Sequence, residues 1–328
     1  MSSNPRTEFV VALTQEGKVK RLPLSDFPLQ HRGGKGVVGS KVKETDVLRS
    51  LYAAREGDIV LVFTNRQLCH RLPVSEFPEM SRYAGGKDIS KLLGFEEGET
   101  VSALWVGDES ALSGGYLVFA SERGDIKRTS ADEFARMRKS AVKATRVEEG
   151  DRLVGIVHSG GSAQVVLATR QGKAARFAEE DVRPSGRAAG GVRGITLADG
   201  DALSGIALAE PGDLVFTVTA FGYGKRSPLD DYRLSARGAR GVANVSDVGK
   251  TGPVIAVLRA AEGDQVLLSS AHGKTIRFSI SEVREVGRAS AGVRAMDLEE
   301  GDMVAAALSV TAPAGELPVP EAPKAPEA

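Results

Sequence analysis

Short apolar runs recur along the chain at nearly even intervals: "FVVALT", "IVLVFT", "GYLVFA", "QVVLAT", "LVFTVT" and "QVLLSS". Their length and their richness in Val and Leu predict strands. A polar turn, usually with glycine, follows each run. Then comes a segment that alternates apolar and polar positions, such as "KVKRLPL" or "KTIRFSI". Strand, turn and alternating strand predict a hairpin. No segment sustains a long 3.6-residue apolar period, so little helix is expected.

The pattern is a repeat. A basic residue precedes an apolar one by six positions in every copy: Arg21 and Phe27, Arg71 and Phe77, Arg128 and Phe134, Arg176 and Val182, Arg226 and Tyr232, Arg277 and Val283. The basic residues lie 50, 57, 48, 50 and 51 residues apart. An acidic pair or Ser-acid pair stands just before each apolar position, such as Ser25-Asp26, Glu180-Asp181 or Asp230-Asp231, and predicts one helical turn or a tight loop. A Gly/Arg segment then leads to another strand, "RLVGIVHS" in the third copy and "MVAAALSV" in the sixth, often introduced by an acidic turn such as Glu149-Gly150-Asp151. A single four-stranded sheet cannot bury both faces, whereas sheets stacked around an axis can. Six such copies therefore predict an all-β radial array of four-stranded antiparallel blades. The rival architecture, a linear β-solenoid, usually has shorter repeats.

Composition narrows the chemistry. Aromatic residues are only 5% of the 328, so the core is aliphatic, and 38 glycines fit an architecture full of tight turns. The formal net charge is zero, but the last eighteen residues carry Glu316, Glu321 and Glu327 against Lys324, which leaves the preceding body at about +2. Cys69 is the single cysteine, so no intrachain disulfide forms, and a reducing cytoplasm is the expected compartment. "MSSNPRTEFV" holds no apolar stretch of signal-peptide length, and no run of eighteen apolar residues occurs. His31, His70, His158 and His272 fall at different repeat positions, so neither a metal site nor a cofactor is expected. Cys69 and Trp105 are expected to pack in blades.

The Gly/Arg segments carry the candidate chemistry. The first, "LQHRGGKGVVGSK" over residues 29–41, nearly matches a nucleotide phosphate loop, but Ser40 and Lys41 stand in the wrong order and no helical pattern follows. Its counterparts are cationic too: Arg82 and Lys87; Arg136, Arg138, Lys139 and Lys143; Arg187 and Arg193; Arg237 and Arg240; Arg288 and Arg294. Glycines let a backbone approach a phosphate and can turn N–H groups outward, while Arg and Lys supply charge. Repeated around a ring, such loops predict a belt that a duplex follows through its backbone. The acidic pairs are expected on another edge, keeping that belt one-sided. The competing reading is a propeller-like scaffold that binds proteins and has basic loops only as surface.

"QHRGGKG", Gln30 to Gly36, resembles the box Q-R-R-G-G-[RK]-G of the DNA gyrase A C-terminal domain, with His31 in place of an arginine. "GYGKR" at 222–226 and "GVRGI" at 191–195 resemble segments of the same family, and the resemblance spans roughly residues 8–310. It implies a six-bladed β-pinwheel over residues 8–311, with strands exchanged between neighbouring blades; residues 1–7 read as a short polar leader, and the Pro/Ala/Glu-rich composition of 312–328 predicts a disordered tail. It further implies that double-stranded DNA bends around the outer rim, supporting negative supercoiling by a type IIA topoisomerase. Gln30, His31, Arg32, Gly33, Gly34, Lys35 and Gly36 would help complete that wrap; neutral His31 donates only one hydrogen bond. The implied partners are the gyrase A breakage-reunion domain and the gyrase B subunit, in a nucleoid-associated cytoplasmic setting. A stand-alone architectural DNA binder is the alternative within this reading. Catalysis is not expected: the only Arg-Tyr pair, Arg82-Tyr83, lies in a blade loop, and no ATPase motif is present.

Overall fold

The computed structural model describes residues 8–39, 46–137 and 141–311. They build six four-stranded antiparallel sheets, with little helix. Each blade has an inner strand, two hairpin strands and a short outermost strand donated by the next copy. In blade 1 the hairpin is Phe9–Thr14 and Lys18–Pro23, the inner strand is Leu48–Ala54, and the second copy donates Lys87–Asp88. The order recurs with donated strands Val142–Lys143, Val192–Arg193, Val242–Ala243 and Val293–Arg294 in blades 2 to 5. Blade 6 takes Val37–Val38 from the first copy, paired with Thr275 and Lys274. The ring is therefore closed, by the segment that follows the box.

Six hydrophobic cores lie between blades, one for each adjacent pair. Val11 and Leu13 face blade 2, packing with Val60, Val62 and Phe77. Their alternates Val10 and Ala12 face blade 6, packing with Leu267 and Val310. Both faces of each sheet are buried, as expected of sheets stacked around an axis. Lys173–Ala178 is buried at its four central positions, and the "polar" positions of these strands point into the next blade interface. Stacking around an axis leaves only edges and turns to solvent.

The six-residue Arg-to-apolar spacing is a clasp between copies. All six apolar residues are at most 2% exposed, each in the core facing the preceding blade. The preceding copy's arginine reaches the same turn. Arg277 Nη1 donates to Phe27 O at 3.1 Å, Arg71 Nη1 to Ala135 O at 2.8 Å, and Arg176 Nη1 to Leu229 O and Tyr232 O at 2.8 and 3.0 Å. Arg226 Nε donates to Val283 O, while Arg128 pairs with the buried Glu179 at 3.5 Å and Arg21 with Glu79 at 3.6 Å. The acidic pairs fall in these turns, which are single 3-10 turns except for a short α-helical turn in the third copy. The acidic turns before the inner strands hold a different part of the blade. Asp151 and Asp201 accept from the hairpin-turn N–H groups of Arg123 and Gln171.

Beside the anchor in copies one, three and five sits a buried lysine. Lys20 Nζ donates to Arg82 O and Ala84 O at 3.1 and 2.7 Å, Lys127 to Arg187 O, and Lys225 to Arg288 O at 2.7 Å. Burial pushes Lys20 and Lys127 down to about 8 and Lys225 to about 7. Cys69 is buried as expected, and burial raises its thiol far above the usual range, so it stays neutral. Trp105 also lies in a core.

Two outcomes are expected. Arg277→Ala strands Phe27 O and Gln265 Oε1, its partner at 2.7 Å, and costs about 3 kcal/mol in urea unfolding; exposed Arg284→Ala changes stability by about 0.5 kcal/mol or less. The unfolded chain holds its lysine protons up to about pH 10, whereas the folded chain releases those of Lys20, Lys127 and Lys225 between about pH 7 and 8. The unfolded state then binds more protons, so stability rises from neutral towards mildly alkaline pH. The urea midpoint should climb over that range in the wild type and more shallowly in Lys225→Met.

Candidate nucleic-acid interface

Each Gly/Arg loop runs along the second hairpin strand of the preceding blade, on its outer edge. In the sixth copy, Val286 N donates to Arg226 O at 2.9 Å, and Val293–Arg294 then pairs with Gly224 and Tyr223. Consecutive loops also hold one another. Thr145 N donates to Arg187 O, Gly238 N to Gly194 O, Ser246 N to Ala289 O and Gly33 N to Ala295 O, at 2.7, 2.7, 3.2 and 2.7 Å. The loops of copies three, four, five, six and one therefore form a continuous hydrogen-bonded belt. Because every donated strand is the outermost of its blade, the loops share one circumference.

This packing changes the reading of the box glycines. Gly33 N points into the protein, at Ala295 O, rather than outward as part of an anion nest. Gly36 has φ +69, and a Cβ there would sit 2.6 Å from Thr275 O. Gly241 and Gly292 meet the same obstacle, at 2.5 Å from Ala174 O and 2.4 Å from Gly224 O. The recurring glycine lets the loop close on its neighbouring strand.

The cations divide by position. Arg32, Arg187, Arg237 and Arg288 are half-buried and donate to protein carbonyls. Arg32 Nε reaches Glu282 O at 2.7 Å and its Nη1 reaches Arg294 O at 3.1 Å. Arg187 spans Lys143 O and Glu133 O at 3.0 and 2.6 Å. Arg237 spans Asp181 O and Arg193 O at 3.3 and 2.6 Å, and Arg288 reaches Ala243 O. These four guanidinium groups tie one loop to the preceding blade and the preceding loop. Lys35, Lys87, Arg136, Lys143, Arg193, Arg240 and Arg294 are exposed. Arg82 is half-buried beside the Tyr83 ring, its guanidinium carbon 5.9 Å from the centroid. Arg138 and Lys139, like residues 1–7, 40–45 and 312–328, lie outside the described residues.

The acidic pairs do not sit apart from the belt, as the sequence had led us to expect. Glu282 Oε2 accepts from the backbone N of Arg32 at 3.0 Å and lies 3.3 Å from His31 Nδ1. Glu133 and Asp231 accept in the same way from Arg187 N and Arg288 N at 2.7 and 3.3 Å. They fasten the start of the loops in copies one, four and six. Gln30 is half-buried, and its N donates to Arg277 O at 2.8 Å, on the seam between blades 1 and 6. Sequence reasoning missed three exposed cations at the loop entrances, Arg183, Arg233 and Arg284. Their signal was the register, since each stands seven residues after an anchor arginine.

A family profile described as the DNA gyrase C-terminal domain, beta-propeller, matches six segments: 8–55, 58–104, 115–158, 163–210, 213–260 and 264–311. The chain belongs to this family. It is 36% identical to the DNA gyrase A protein of Haloquadratum walsbyi over 91% of this chain and 35% of that protein. It is 37% identical to the DNA gyrase A protein of Chlamydia muridarum over 94% of this chain and 38% of that protein. The chain thus spans well under half the length of these curated relatives. A solved structure of a DNA gyrase A C-terminal domain superposes with a TM-score of 0.82 at 24% identity, covering 92% of this chain and 99% of that one. The C-terminal domain of DNA topoisomerase IV superposes with a TM-score of 0.67 at 23% identity, covering 95% of each chain. The expected six-bladed fold is the observed one. No helix among the described residues is long and apolar enough to cross a membrane.

The two classes of cation separate in mutants. Arg32→Ala should lower the unfolding free energy in urea titration by about 1–3 kcal/mol, because it opens two carbonyl contacts at the ring seam. Exposed Lys35→Ala should leave that free energy unchanged.

Proposed function

We propose that this chain binds duplex DNA along the loop belt, bends it and wraps it, as the wrapping part of a gyrase-type topoisomerase. The observation that carries this reading is the continuity of the belt. Five loops are hydrogen-bonded end to end on one circumference, and exposed Lys or Arg side chains stand along it. A duplex following that edge meets phosphate-binding charge in successive sectors, and nothing in the arrangement reads bases. Lys35, Lys87, Arg136, Lys143, Arg193, Arg240 and Arg294, joined by Arg183, Arg233 and Arg284, make the phosphate contacts. Arg32, Arg187, Arg237 and Arg288 hold the loops that present them.

Membership of the family supports the setting: DNA in the cytoplasm, with the breakage-reunion portion of gyrase A and the gyrase B protein as partners. The chain requires no cofactor for this role. The box acts at the point where the ring is sealed, so it governs how far the duplex is carried past the seam.

Gel shifts test the binding. Affinity should rise for duplexes longer than about 30 base pairs, with little sequence preference, and six to ten phosphate contacts would cost roughly 10³–10⁵ in affinity between 50 and 200 mM salt. Relaxing a plasmid with a type I topoisomerase in the presence of the chain should trap a linking difference, and its sign reports the hand of the wrap. A protein-binding scaffold would show neither the salt dependence nor the linking difference.

A further inference from the structure

The six copies serve as controls on one another, and one sector of the ring departs from the rest. In each blade a hairpin-turn residue donates its N to the carbonyl just before the inner strand. Asn65 donates to Thr100, Arg170 to Ala202, Ala220 to Pro253 and Ala271 to Met303, at 3.0, 2.8, 2.8 and 2.7 Å. These matching positions lie on one face of the ring, near its axis. The next turn residue is Glu16, Arg66, Arg123, Gln171 or His272, except in the fifth copy, where it is Phe221. The turn itself therefore needs no apolar side chain there.

Six large apolar side chains are exposed among the described residues, and Phe221 and Met303 are the two off the loop belt, at 42% and 47%. They are neighbours. Val304 N, next to Met303, donates to Ala220 O, next to Phe221, at 2.9 Å. Pro253 is exposed beside them. The Phe221 ring also has a seat. In copies one, three, four and six the N at its position donates to an aspartate. In copy five it donates to Thr251 O at 3.0 Å, at the end of the short helix Val248–Thr251. Gly252 follows at φ +80, and a Cβ there would lie 2.9 Å from the ring. An exposed apolar cluster held on fixed backbone marks an interaction surface.

The surroundings are acidic. Asp247 opens that helix, and Glu299 and Glu300 stand on the turn leading to Met303. Further round the face, the corresponding turns expose Glu97, Glu149 and Asp199. Arg66 is committed to Glu96, Arg152 and Arg170 to Glu122 at 2.9 and 3.2 Å, and Lys274 to Glu299. Arg123 and Lys250 are the other exposed cations of these turns among the described residues. Such a face repels phosphate and attracts Lys and Arg.

We propose that Phe221, Pro253 and Met303 form a docking surface for a protein partner. The occupant is a cationic amphipathic segment that lays large apolar side chains on the patch and Lys or Arg on the carboxylates around it. The patch lies apart from the loop belt, so this inference stands whether or not the belt carries DNA.

The probe is a labelled amphipathic helical peptide of Leu and Lys, with two comparison peptides in which Glu replaces Lys or Ser replaces Leu. Binding to the whole chain is followed by fluorescence anisotropy. The Leu/Lys peptide should bind about tenfold or more tightly than either comparison peptide. Phe221→Gln and Met303→Thr match residues that other copies carry at the same positions, Gln171 and Thr100, so both should keep the wild-type urea midpoint. Each should weaken the Leu/Lys peptide about tenfold, whereas Gln171→Ala and Thr100→Ala should not. Duplex affinity in gel shifts should be unchanged. Equal peptide binding by wild type and variants overturns the surface, as does a Glu peptide that binds as tightly as the Lys peptide. A loss of duplex affinity in the variants would give the patch to DNA. A dimer in sedimentation that the variants dissolve would give it to a second copy of this chain. Either result overturns the cationic segment.

Discussion

The structure depends on the grip of an arginine in one copy on the turn that carries a buried apolar side chain in the next. A blade has two apolar faces and no core of its own, so each sheet is stable only between two others. The apolar residue fills the interface, and in four links the guanidinium satisfies carbonyls of the turn that delivers it, while Arg21 and Arg128 pair there with Glu79 and Glu179. Each half needs the other: burying the turn without the arginine would strand its carbonyls, and burying the arginine without them would strand a charge. Six such links in a ring leave no terminal sheet, and the last one, from Arg277 to Phe27, joins the two ends of the described chain.

The same economy governs the rim. Each loop is a structural tie, since it supplies the outer strand of the preceding blade, and the loops of copies three, four, five, six and one also bond to one another. Cationic residues within it therefore act in two ways. Those at the fixed half-buried position satisfy carbonyls, and those beyond it project into solvent. On the proposed reading the rim holds a stiff, bent polymer, and this coupling serves it. The charges sit on a frame whose backbone is already committed, so little ordering remains to be done on binding.

The box gains meaning from its place. It is the loop that closes the circle, where Gln30 and Arg32 meet the sixth blade and Val37–Val38 complete its sheet. Its glycines and its arginine are set by packing across that seam, while Lys35 faces outward. A motif of mixed Gly and Arg is thus a closure element with one charge to offer, rather than a bare phosphate cradle.

Much of this was legible in the residues. The Val/Leu runs, the turn glycines and the constant six-residue offset fixed strands, repeat number and radial stacking, because these follow from local periodicity and from the need to bury two faces. The six copies of the Gly/Arg segment marked the rim. The sequence did not reveal which backbone groups the charges meet: Arg32 and Arg187 point at carbonyls while Lys35 and Arg193 face water, and acidic pairs fasten the loops of copies one, four and six. Nor did residue pattern alone show that the fourth strand comes from the next copy. Those features depend on which backbone groups lie opposite a side chain across a blade interface, at separations of about fifty residues or, at the seam, of 250 and more. Local pattern determines what each segment is; only closure of the ring decides what each charge meets.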